Sequence, residues 1–238
     1  MTAVNMTCKQ YIDKLFDTYK LIGVLADKNN CKTLRLRHKS LDKDIVLHSL
    51  PKPVIAYEIL CKIKCENLPW IYDVITLQDG QIVLEEFIDG VTIAEVMEIG
   101  KYHYIGARKV LKSVCNALTV LHEHNLVHRD VKPENILVDK NGRVVLIDFN
   151  ASRQISYKSK DTVIMGTIGY ASPEQMGVTQ SDIRTDIYAM GVLLNVMITG
   201  KHPSEKIARG HIGRIVKKCT SVNPDDRFQS AQKLANSL

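Results

Sequence analysis

The chain lacks the long apolar run that a membrane-spanning helix needs. No segment of its 238 residues approaches the roughly 20 consecutive apolar residues that cross a bilayer. The first residues, MTAVNMTCKQYIDKLF, also lack the charged-then-apolar order of a secretion signal. Repeats and low-complexity tails are absent from the sequence as well. We therefore expect a cytoplasmic protein with no membrane partner.

Cysteine is present, but not in a pattern that binds zinc. The six cysteines are scattered, and only Cys61 and Cys65 are spaced to share a helix face. No second Cys/His pair completes a zinc site. Reduced and mostly buried thiols are the default for such a chain, which agrees with the cytosol.

Acidic residues are slightly fewer than basic ones. The chain has 32 Lys and Arg and 26 Asp and Glu, which gives a formal net charge of +6. A basic cluster in one polar segment could bind nucleic acid or an acidic partner. A solvated strand and turn explains the same cluster and is the favoured interpretation, so we expect no nucleic acid partner. The cluster consists of Lys32, Arg35, Arg37, His38, Lys39 and Lys43.

The most informative stretch is residues 128–150, which read HRDVKPENILVDKNGRVVLIDFN. An Asn-Gly pair at 141–142 is a strong signal for a tight hairpin turn. The apolar run at 144–147 is typical of a buried strand. Such a hairpin would fold Asp148 back beside Asn135.

The side chains of this stretch suit phosphoryl chemistry. A carboxylate at Asp148 and an amide oxygen at Asn135 are ligands that suit Mg²⁺, which usually shares them with substrate phosphates. Asp130 would then be free to accept a proton from an attacking hydroxyl. Lys132 would neutralise charge on a transferred phosphoryl group.

These residues match two motifs of eukaryotic-type protein kinases, the catalytic loop H-R-D-x-x-x-x-N and the metal-binding element D-F-G. The chain resembles this family, and its style is most similar to kinases of Gram-positive bacteria. A lysine two residues after the catalytic aspartate is typical of the serine/threonine class. Asn150 stands where the family has glycine, and asparagine tolerates unusual backbone angles better than most residues. The matching residues are His128, Arg129, Asp130, Lys132, Asn135, Asp148 and Phe149.

The resemblance implies an α+β, bilobal, protein-kinase-like fold. A small β-rich N-lobe would span residues 19–86, a hinge 87–90, and a mainly helical C-lobe 91–238. Residues 1–18 would form an N-terminal arm or short helix. Further expected elements are strands at 19–25, 33–38, 44–50, 70–74 and 82–86, and a helix at 53–64.

Two departures from the family fall in the N-lobe. The loop between the first two strands holds no glycine, although family members use glycines there to let backbone N–H groups approach the ATP phosphates. His48 stands where the family has the lysine that grips the α- and β-phosphates. Histidine is shorter and a poor phosphate clamp. Lys32, our first choice, or Lys28 would replace that lysine, unless both are solvated loop residues.

Other nucleotide contacts are implied by the resemblance alone. Backbone groups of the hinge, at Glu86 and Ile88, would bind adenine. Glu58, on the predicted helix, is the candidate for the acid that pairs with position 48, or it faces solvent. The expected cofactors are ATP and Mg²⁺, with Asn135 and Asp148 as metal ligands.

The C-terminal half carries the family's supporting residues. Thr167, in GTIGYASPEQ, would contact Asp130 and Lys132, and Asp186 would brace the backbone of the catalytic loop. Glu174 and Arg227 match a structural ion pair of the family.

Further expectations concern individual side chains in this half. The apolar positions of residues 110–121 predict a buried helix face. His122 and His124 are expected at the surface at its end. Ser159 and Thr162 are candidate phosphorylation sites, and the alternative is a flexible polar loop that is never modified.

The sequence therefore predicts a kinase that transfers the ATP γ-phosphoryl group to a protein serine or threonine, with catalytic Asp130, Lys132 and Asn135. The alternative is a pseudokinase, a nucleotide- or protein-binding signalling module, which the missing glycines and His48 favour. A small-molecule phosphotransferase of related fold is a third interpretation. Enzymes of that kind lack a peptide-positioning loop such as the one that GTIGYASPEQ resembles.

Overall fold

In a computed structural model of the chain, residues 6–28, 30–155, 167–177 and 180–238 are described. They form two compact units. The first holds the described residues up to Lys64 together with Pro69–Ile88, and the second holds Cys65–Leu68 and the described part of Asp89–Leu238. The first unit is rich in strands and the second is mainly helical, which confirms the predicted α+β class.

The first unit is a five-stranded antiparallel sheet with strand order β1-β2-β3-β5-β4. The predicted third strand is confirmed at its exact bounds, and the others are longer than predicted because ladder pairing continues into the hairpin turns. Two helices belong to the same unit. The elements are α1 Cys8–Thr18, β1 Tyr19–Lys28, β2 Cys31–His38, β3 Asp44–Leu50, α2 Ile55–Leu60, β4 Ile71–Leu77 and β5 Gly80–Glu86.

Helix α1 packs against one face of this sheet. Thr7 and Gln10 form a capping box that starts the helix. Lys39 Nζ donates to the carbonyl oxygens of Phe16 and Asp17 at its end, at 2.6 and 3.1 Å. Apolar side chains of α1 pack on a buried cluster that includes Leu34, Leu36, Ile45, Leu47, Ile82 and Leu84. The predicted N-terminal arm is thus helical from Cys8 onward and covers the sheet.

Helix α2 is shorter than the predicted helix at 53–64. It spans only Ile55–Leu60, and its N-cap Val54 has no side chain that can cap the helix. The helix cannot continue to 64, because the chain turns after Leu60 and residues Cys65–Leu68 belong to the second unit. The family resemblance, from which the longer helix was predicted, did not reveal this early end.

The second unit contains five helices and two small sheets among its described residues. Strand β7 pairs with β10, and β6, β8 and β9 form a three-stranded sheet. The elements are β6 Gly90–Thr92, α3 Ile93–Ile99, α4 Tyr104–Glu123, β7 Leu126–Val127, β8 Ile136–Asp139, β9 Val144–Leu146, β10 Arg153–Gln154, α5 Ile183–Thr199, α6 Gly210–Cys219 and α7 Ala231–Ser237. Within the described ranges, no helix is both long and apolar enough to cross a membrane.

The core of the second unit is built on α4 and α5. The predicted apolar face of α4 is confirmed, since its members from Val110 to Leu121 are buried. Gly191 lets α5 approach α6 closely, because a Cβ at this position would lie 2.3 Å from the Cβ of Cys219. A larger residue at 191 would force these two helices apart.

The predicted ion pair between Glu174 and Arg227 is confirmed. Arg227 donates from Nη1 to Oε1 at 2.6 Å and from Nη2 to Oε2 at 2.9 Å. Both side chains are buried, with 3% and 0% exposed. Arg227 also donates to backbone oxygens of Ser221, Val222 and Arg184, so the guanidinium binds three separate segments of this unit.

We expect Glu174→Gln to lower the free energy of unfolding by about 3–5 kcal/mol, because it leaves the buried Arg227 charge uncompensated. Urea denaturation would measure the loss. The matched control is Glu205→Gln, which breaks the exposed Lys201–Glu205 pair (3.2 Å) and should cost less than about 1 kcal/mol. Equal small losses in both variants would contradict a structural role for the buried pair.

Candidate active site

The predicted catalytic residues converge on the carboxylate of Asp130. Lys132 Nζ donates to Asp130 Oδ2 at 2.7 Å and to Thr167 Oγ1 at 2.8 Å. Thr167 Oγ1 donates to Asp130 Oδ1 at 2.7 Å, and Asn135 Nδ2 donates to Oδ2 at 2.9 Å. The structure therefore brings together Asp130, Lys132, Asn135 and Thr167 from two segments more than 30 residues apart.

This network keeps the Asp130 carboxyl ionised. Burial alone would raise its pKa, but the hydrogen bonds from Lys132 and Thr167 and the positive charge of Lys132 outweigh burial and lower the pKa below the usual aspartate value. An ionised carboxylate at this position can orient a hydroxyl group and receive its proton.

Asp186 holds the loop that carries Asp130. This fully buried carboxylate accepts hydrogen bonds from the backbone N–H groups of His128 (3.0 Å) and Arg129 (2.8 Å). Arg129 has a φ of 71°, in the left-handed region that non-glycine residues rarely adopt. The predicted bracing role of Asp186 fits these bonds, because they hold the backbone at its strained residue.

His122 is not a surface residue, contrary to the sequence-based expectation. Its side chain is 7% exposed, and its Nε2 lies 2.9 Å from Asp186 Oδ2. Burial would raise the pKa of Asp186, but the contact with His122 and the backbone bonds lower it. Sequence position at a helix end gave no sign of this contact, because Asp186 lies 64 residues further along the chain. His124 is exposed, as expected.

The predicted hairpin between Asn135 and Asp148 is confirmed. Strands β8 and β9 pair antiparallel, and Ile147 N–H donates to the carbonyl oxygen of Asn135 at 2.9 Å. Asp148, the next residue, has a φ of 66°. Phe149 is fully buried, and its ring packs edge-to-face on His128 at 5.3 Å. The hairpin therefore places Asp148 directly after Ile147, the residue whose N–H is bonded to Asn135.

The donor set at this place fits Mg²⁺. Asn135 uses its amide nitrogen on Asp130, at 2.9 Å from both the backbone oxygen and Oδ2, which leaves the amide oxygen for a cation. Asp148 supplies the carboxylate. The described ranges hold no cluster of three or more His, Cys, Asp or Glu side chains that could enclose a metal. Two oxygen ligands suit Mg²⁺ because it commonly keeps waters and substrate phosphates as its remaining ligands.

His48, in the first unit, is held by neighbours within the sheet. Its Nε2 lies 2.8 Å from Glu85 Oε1, and its Nδ1 lies 3.2 Å from Thr33 Oγ1. The side chains of His48 and Glu85 are 7% and 6% exposed. Glu58 is exposed on α2, so the acid beside position 48 comes from β5 and not from the helix.

The two candidate lysines lie on opposite faces of the first unit's sheet. Thr33 pairs directly with His48, and Lys32 pairs with Ser49. Because side chains alternate along a strand, Lys32 lies on the face covered by α1, opposite His48. Its Nζ contacts Asp27 at 3.2 Å. Lys28 shares the face of His48, because it pairs with Cys31, two residues before Thr33.

A tight hairpin replaces the loop that would carry the family's glycines. Pairing between β1 and β2 continues to Lys28 and Cys31, so only residues 29 and 30 join the strands. Asn30 has a φ of 62°, which asparagine tolerates well. Two register shifts interrupt β1, between Leu21 and Gly23 and between Val24 and Ala26, and such bulges locally increase the twist of a strand. The backbone pairs as a strand up to Lys28 on one side and from Cys31 on the other.

The hinge residues are reached at the end of β5. Glu86 N–H donates to the carbonyl oxygen of Trp70 at 2.8 Å, and Ile88 is buried. The chain passes from the first unit to the second between Ile88 and Asp89. Backbone recognition of adenine by Glu86 and Ile88 stays a prediction.

The basic cluster of the first unit is engaged within that unit. Arg37 contacts Asp44 at 2.5 Å, and Arg35 contacts the same carboxylate. Lys32 contacts Asp27, Lys39 binds the end of α1, and the ring of His38 packs on Tyr19. These contacts agree with a strand and turn at this place, and the expectation of no nucleic acid partner stays a prediction.

His202 is a residue of this region that sequence reasoning missed. Its Nε2 lies 2.9 Å from the carbonyl oxygen of Gly169, in the turn that begins at Thr167. Ser204 N–H donates to its Nδ1 at 3.2 Å, so the ring donates from Nε2 to Gly169. No local signal could have revealed a contact between segments 33 residues apart. Ser159 and Thr162, the candidate phosphorylation sites, lie outside the described residues.

Comparisons with known proteins agree with this geometry. A model of the protein kinase domain matches residues 30–238. A probable serine/threonine-protein kinase PknB of Lactococcus lactis is 27% identical over 198 residues, covering 80% of this chain and 31% of the relative. The serine/threonine-protein kinase PknB of Mycolicibacterium smegmatis is 29% identical over 184 residues, covering 66% and 29%. A probable serine/threonine-protein kinase of Clostridium perfringens is 30% identical over 198 residues, covering 72% and 29%. The chain thus spans less than a third of the length of these relatives.

We expect Lys132→Met to raise the pKa of Asp130, because burial then acts on the carboxyl without the ammonium that offsets it. Folding lowers this pKa in the wild type. The ionised form therefore contributes stability above the unfolded pKa, and that contribution is lost as the pH falls through the folded pKa. A carboxyl ¹³C NMR titration would measure the change. Lys140→Met, at a 75% exposed side chain, should leave the titration unmoved; an unchanged Asp130 in Lys132→Met would refute the electrostatic assignment.

Proposed function

Since the chain belongs to the protein kinase domain family, we propose that it transfers the γ-phosphoryl group of ATP to a serine or threonine hydroxyl of a protein. The observation that carries the proposal is the network in which Asp130 accepts from Lys132, Thr167 and Asn135 at 2.7–2.9 Å. Such a constellation positions an acceptor hydroxyl and stabilises transferred charge, which are the two tasks that phosphoryl transfer demands of a protein.

In the proposed reaction, the substrate hydroxyl oxygen attacks the γ-phosphorus while the bond to the β–γ bridging oxygen breaks. The hydroxyl proton passes to the Asp130 carboxylate, and ADP leaves. Because hydrogen bonds lower the pKa of Asp130, its main contribution is to orient the hydroxyl, with proton acceptance late in the reaction. Lys132 Nζ, which donates to both Asp130 and Thr167, supplies positive charge beside the transferred group.

Asn135 and Asp148 would hold Mg²⁺ in this scheme. A bound Mg²⁺ neutralises phosphate charge and orients the triphosphate. The chain's own contribution is to fix both oxygen ligands through the β8–β9 pairing and the hydrogen bonds from Asn135 to Asp130.

A phosphate contact from the first unit would come from Lys28 in preference to Lys32. Lys28 shares the sheet face of His48, whereas Lys32 lies on the α1 face and pairs with Asp27. His48 is a weak candidate, because both ring nitrogens already contact protein groups.

A protein substrate is supported by the turn at Thr167–Tyr170. Thr167 contacts the catalytic residues, Ile168 is 93% exposed beside it, and His202 holds the carbonyl of Gly169. An exposed, anchored turn next to the catalytic carboxylate offers a surface for a peptide, which favours a protein acceptor over a small molecule.

A pseudokinase remains the second candidate function, and the tight β1–β2 hairpin favours it. With the loop committed to strand pairing, the backbone N–H groups that would cradle a triphosphate are not arranged to do so. Loose positioning of the triphosphate slows transfer severely, because positioning supplies most of the catalysis.

We further propose that the domain works in the cytoplasm. Cys8, Cys61, Cys65, Cys115 and Cys219 form no disulfide, and Cys8, Cys115 and Cys219 are buried. Burial raises the pKa of the Cys8 thiol to about 11 and that of Cys115 to about 12, so these thiols are unreactive. Cysteines that form no disulfide are typical of reducing compartments.

We expect Asp130→Ala to abolish phosphate transfer to a protein acceptor while Mg²⁺-dependent ATP binding persists, since Asp130 acts on the hydroxyl and not on the nucleotide. Radiolabelled ATP and a generic basic acceptor protein would measure transfer, and calorimetry would measure binding. The control is Asp226→Ala, at an exposed aspartate remote in sequence from the loop. ATP binding without transfer in the wild type would establish the pseudokinase alternative.

We expect His202→Ala to raise the KM for the protein acceptor roughly fivefold, the effect of one hydrogen bond of about 1 kcal/mol, without changing the KM for ATP. The variant frees the carbonyl of Gly169 and loosens the Thr167–Tyr170 turn. Steady-state kinetics with each substrate varied in turn would separate the two KM values. His211→Ala is the matched control, because His211 also contacts one carbonyl oxygen, that of Ser237. A change in both KM values would argue against a role confined to the acceptor.

A further inference from the structure

We propose that Glu85 is a positioning residue that orients the side chain at position 48, a role that rests on the kinase function proposed above. The resemblance gives this task to a glutamate on the helix after the third strand. Here the acid belongs to the sheet itself, so the charge that orients position 48 does not come from α2.

The strand register places Glu85 beside His48. In the antiparallel pairing of β3 with β5, His48 lies opposite Val83 and Val46 lies opposite Glu85. His48 and Glu85 are therefore diagonal neighbours on one face, a separation that long side chains can bridge. Their side chains do meet, with Nε2 at 2.8 Å from Oε1.

Burial makes this contact obligatory. Fewer than one tenth of either side chain is exposed, and a buried carboxylate is stable only when it is paired. Thr33 Oγ1 at 3.2 Å and the ring of Tyr57 at 5.7 Å enclose the imidazole from the other sides. The other carboxylate oxygen, Oε2, is buried without a hydrogen-bond partner within the described ranges. Glu85 can therefore accept from a second donor.

Helix α2 contributes packing and not charge to this place. Its buried residues are Ala56, Tyr57 and Leu60, whereas Glu58 is exposed. The helix has only six residues and no side-chain N-cap, so it is poorly suited to hold a charge in a fixed position.

A lysine placed at position 48 would find its acid already in place. An ammonium group carries three hydrogen-bond donors. Glu85 offers Oε1, which now contacts His48, and Oε2, which can accept a further hydrogen bond. His48→Lys should therefore add a phosphate contact from position 48, beyond any that Lys28 makes, without any contribution from Glu58.

Calorimetry of Mg²⁺-ATP binding would test the proposal. We expect His48→Lys to bind at least tenfold more tightly than the wild type, and His48→Lys/Glu85→Gln to lose that gain. His48→Lys/Glu58→Gln is the matched control and should keep it. A folded His48→Lys variant with no gain, or a gain that depends on Glu58, would overturn the proposal.

A second measurement tests the proposal if the His48→Lys variant does not fold. Imidazole ¹⁵N NMR signals of His48 should move in Glu85→Gln and stay in place in Glu58→Gln; the reverse pattern would overturn the proposal. Neither measurement depends on phosphate transfer. A wild type that transfers no phosphate would therefore contradict the proposed kinase activity. The ATP-binding and NMR measurements would still test the role of Glu85 separately.

Discussion

The buried carboxylate of Asp186 is the constraint on which the catalytic loop depends. It accepts from two consecutive backbone N–H groups, at His128 and Arg129, and contacts the His122 side chain. These bonds hold Arg129 in a left-handed conformation that would otherwise be strained, and Asp130 follows directly. Asp186 takes no part in the chemistry, but it thus fixes the backbone that positions the carboxylate of Asp130. This fully buried charge is compensated by the two backbone N–H groups and by the His122 side chain.

The two units differ in how they specify chemistry. In the second unit, side chains from separate segments meet through charge-assisted bonds, as in the contact of Lys132 with Asp130 and Thr167. In the first unit, the sheet dictates what each side chain can reach. Lys28 and Lys32 differ by four residues along a hairpin, yet strand pairing places them on opposite faces. In the first unit, the pairing register of the strands therefore decides which groups each side chain can contact.

Sequence alone was sufficient where a signal is local or matches a dense motif. The strand at 44–50, the apolar face of α4 and the Glu174–Arg227 pair were all predicted and are present in the structure. Sequence failed where a contact joins distant segments without a motif. The contacts of His122 with Asp186, of His48 with Glu85 and of His202 with Gly169 span 64, 37 and 33 residues. The contacts of a histidine are particularly hard to predict from sequence, because its partner and its tautomer depend on the fold.

The pair of His48 and Glu85 is difficult to explain by stability alone. Desolvating a carboxylate and an imidazole costs free energy that their contact recovers only in part, and well-packed apolar residues of similar volume are often as stable or more so. Neighbouring positions on the same strands show that the sheet accepts such residues readily, since Leu47, Val83 and Leu84 are buried there. A polar pair at 48 and 85 therefore points to a requirement at that face other than folding. Control of the side chain at position 48, where a triphosphate would need a contact, is a requirement that a carboxylate fixed in the sheet can meet.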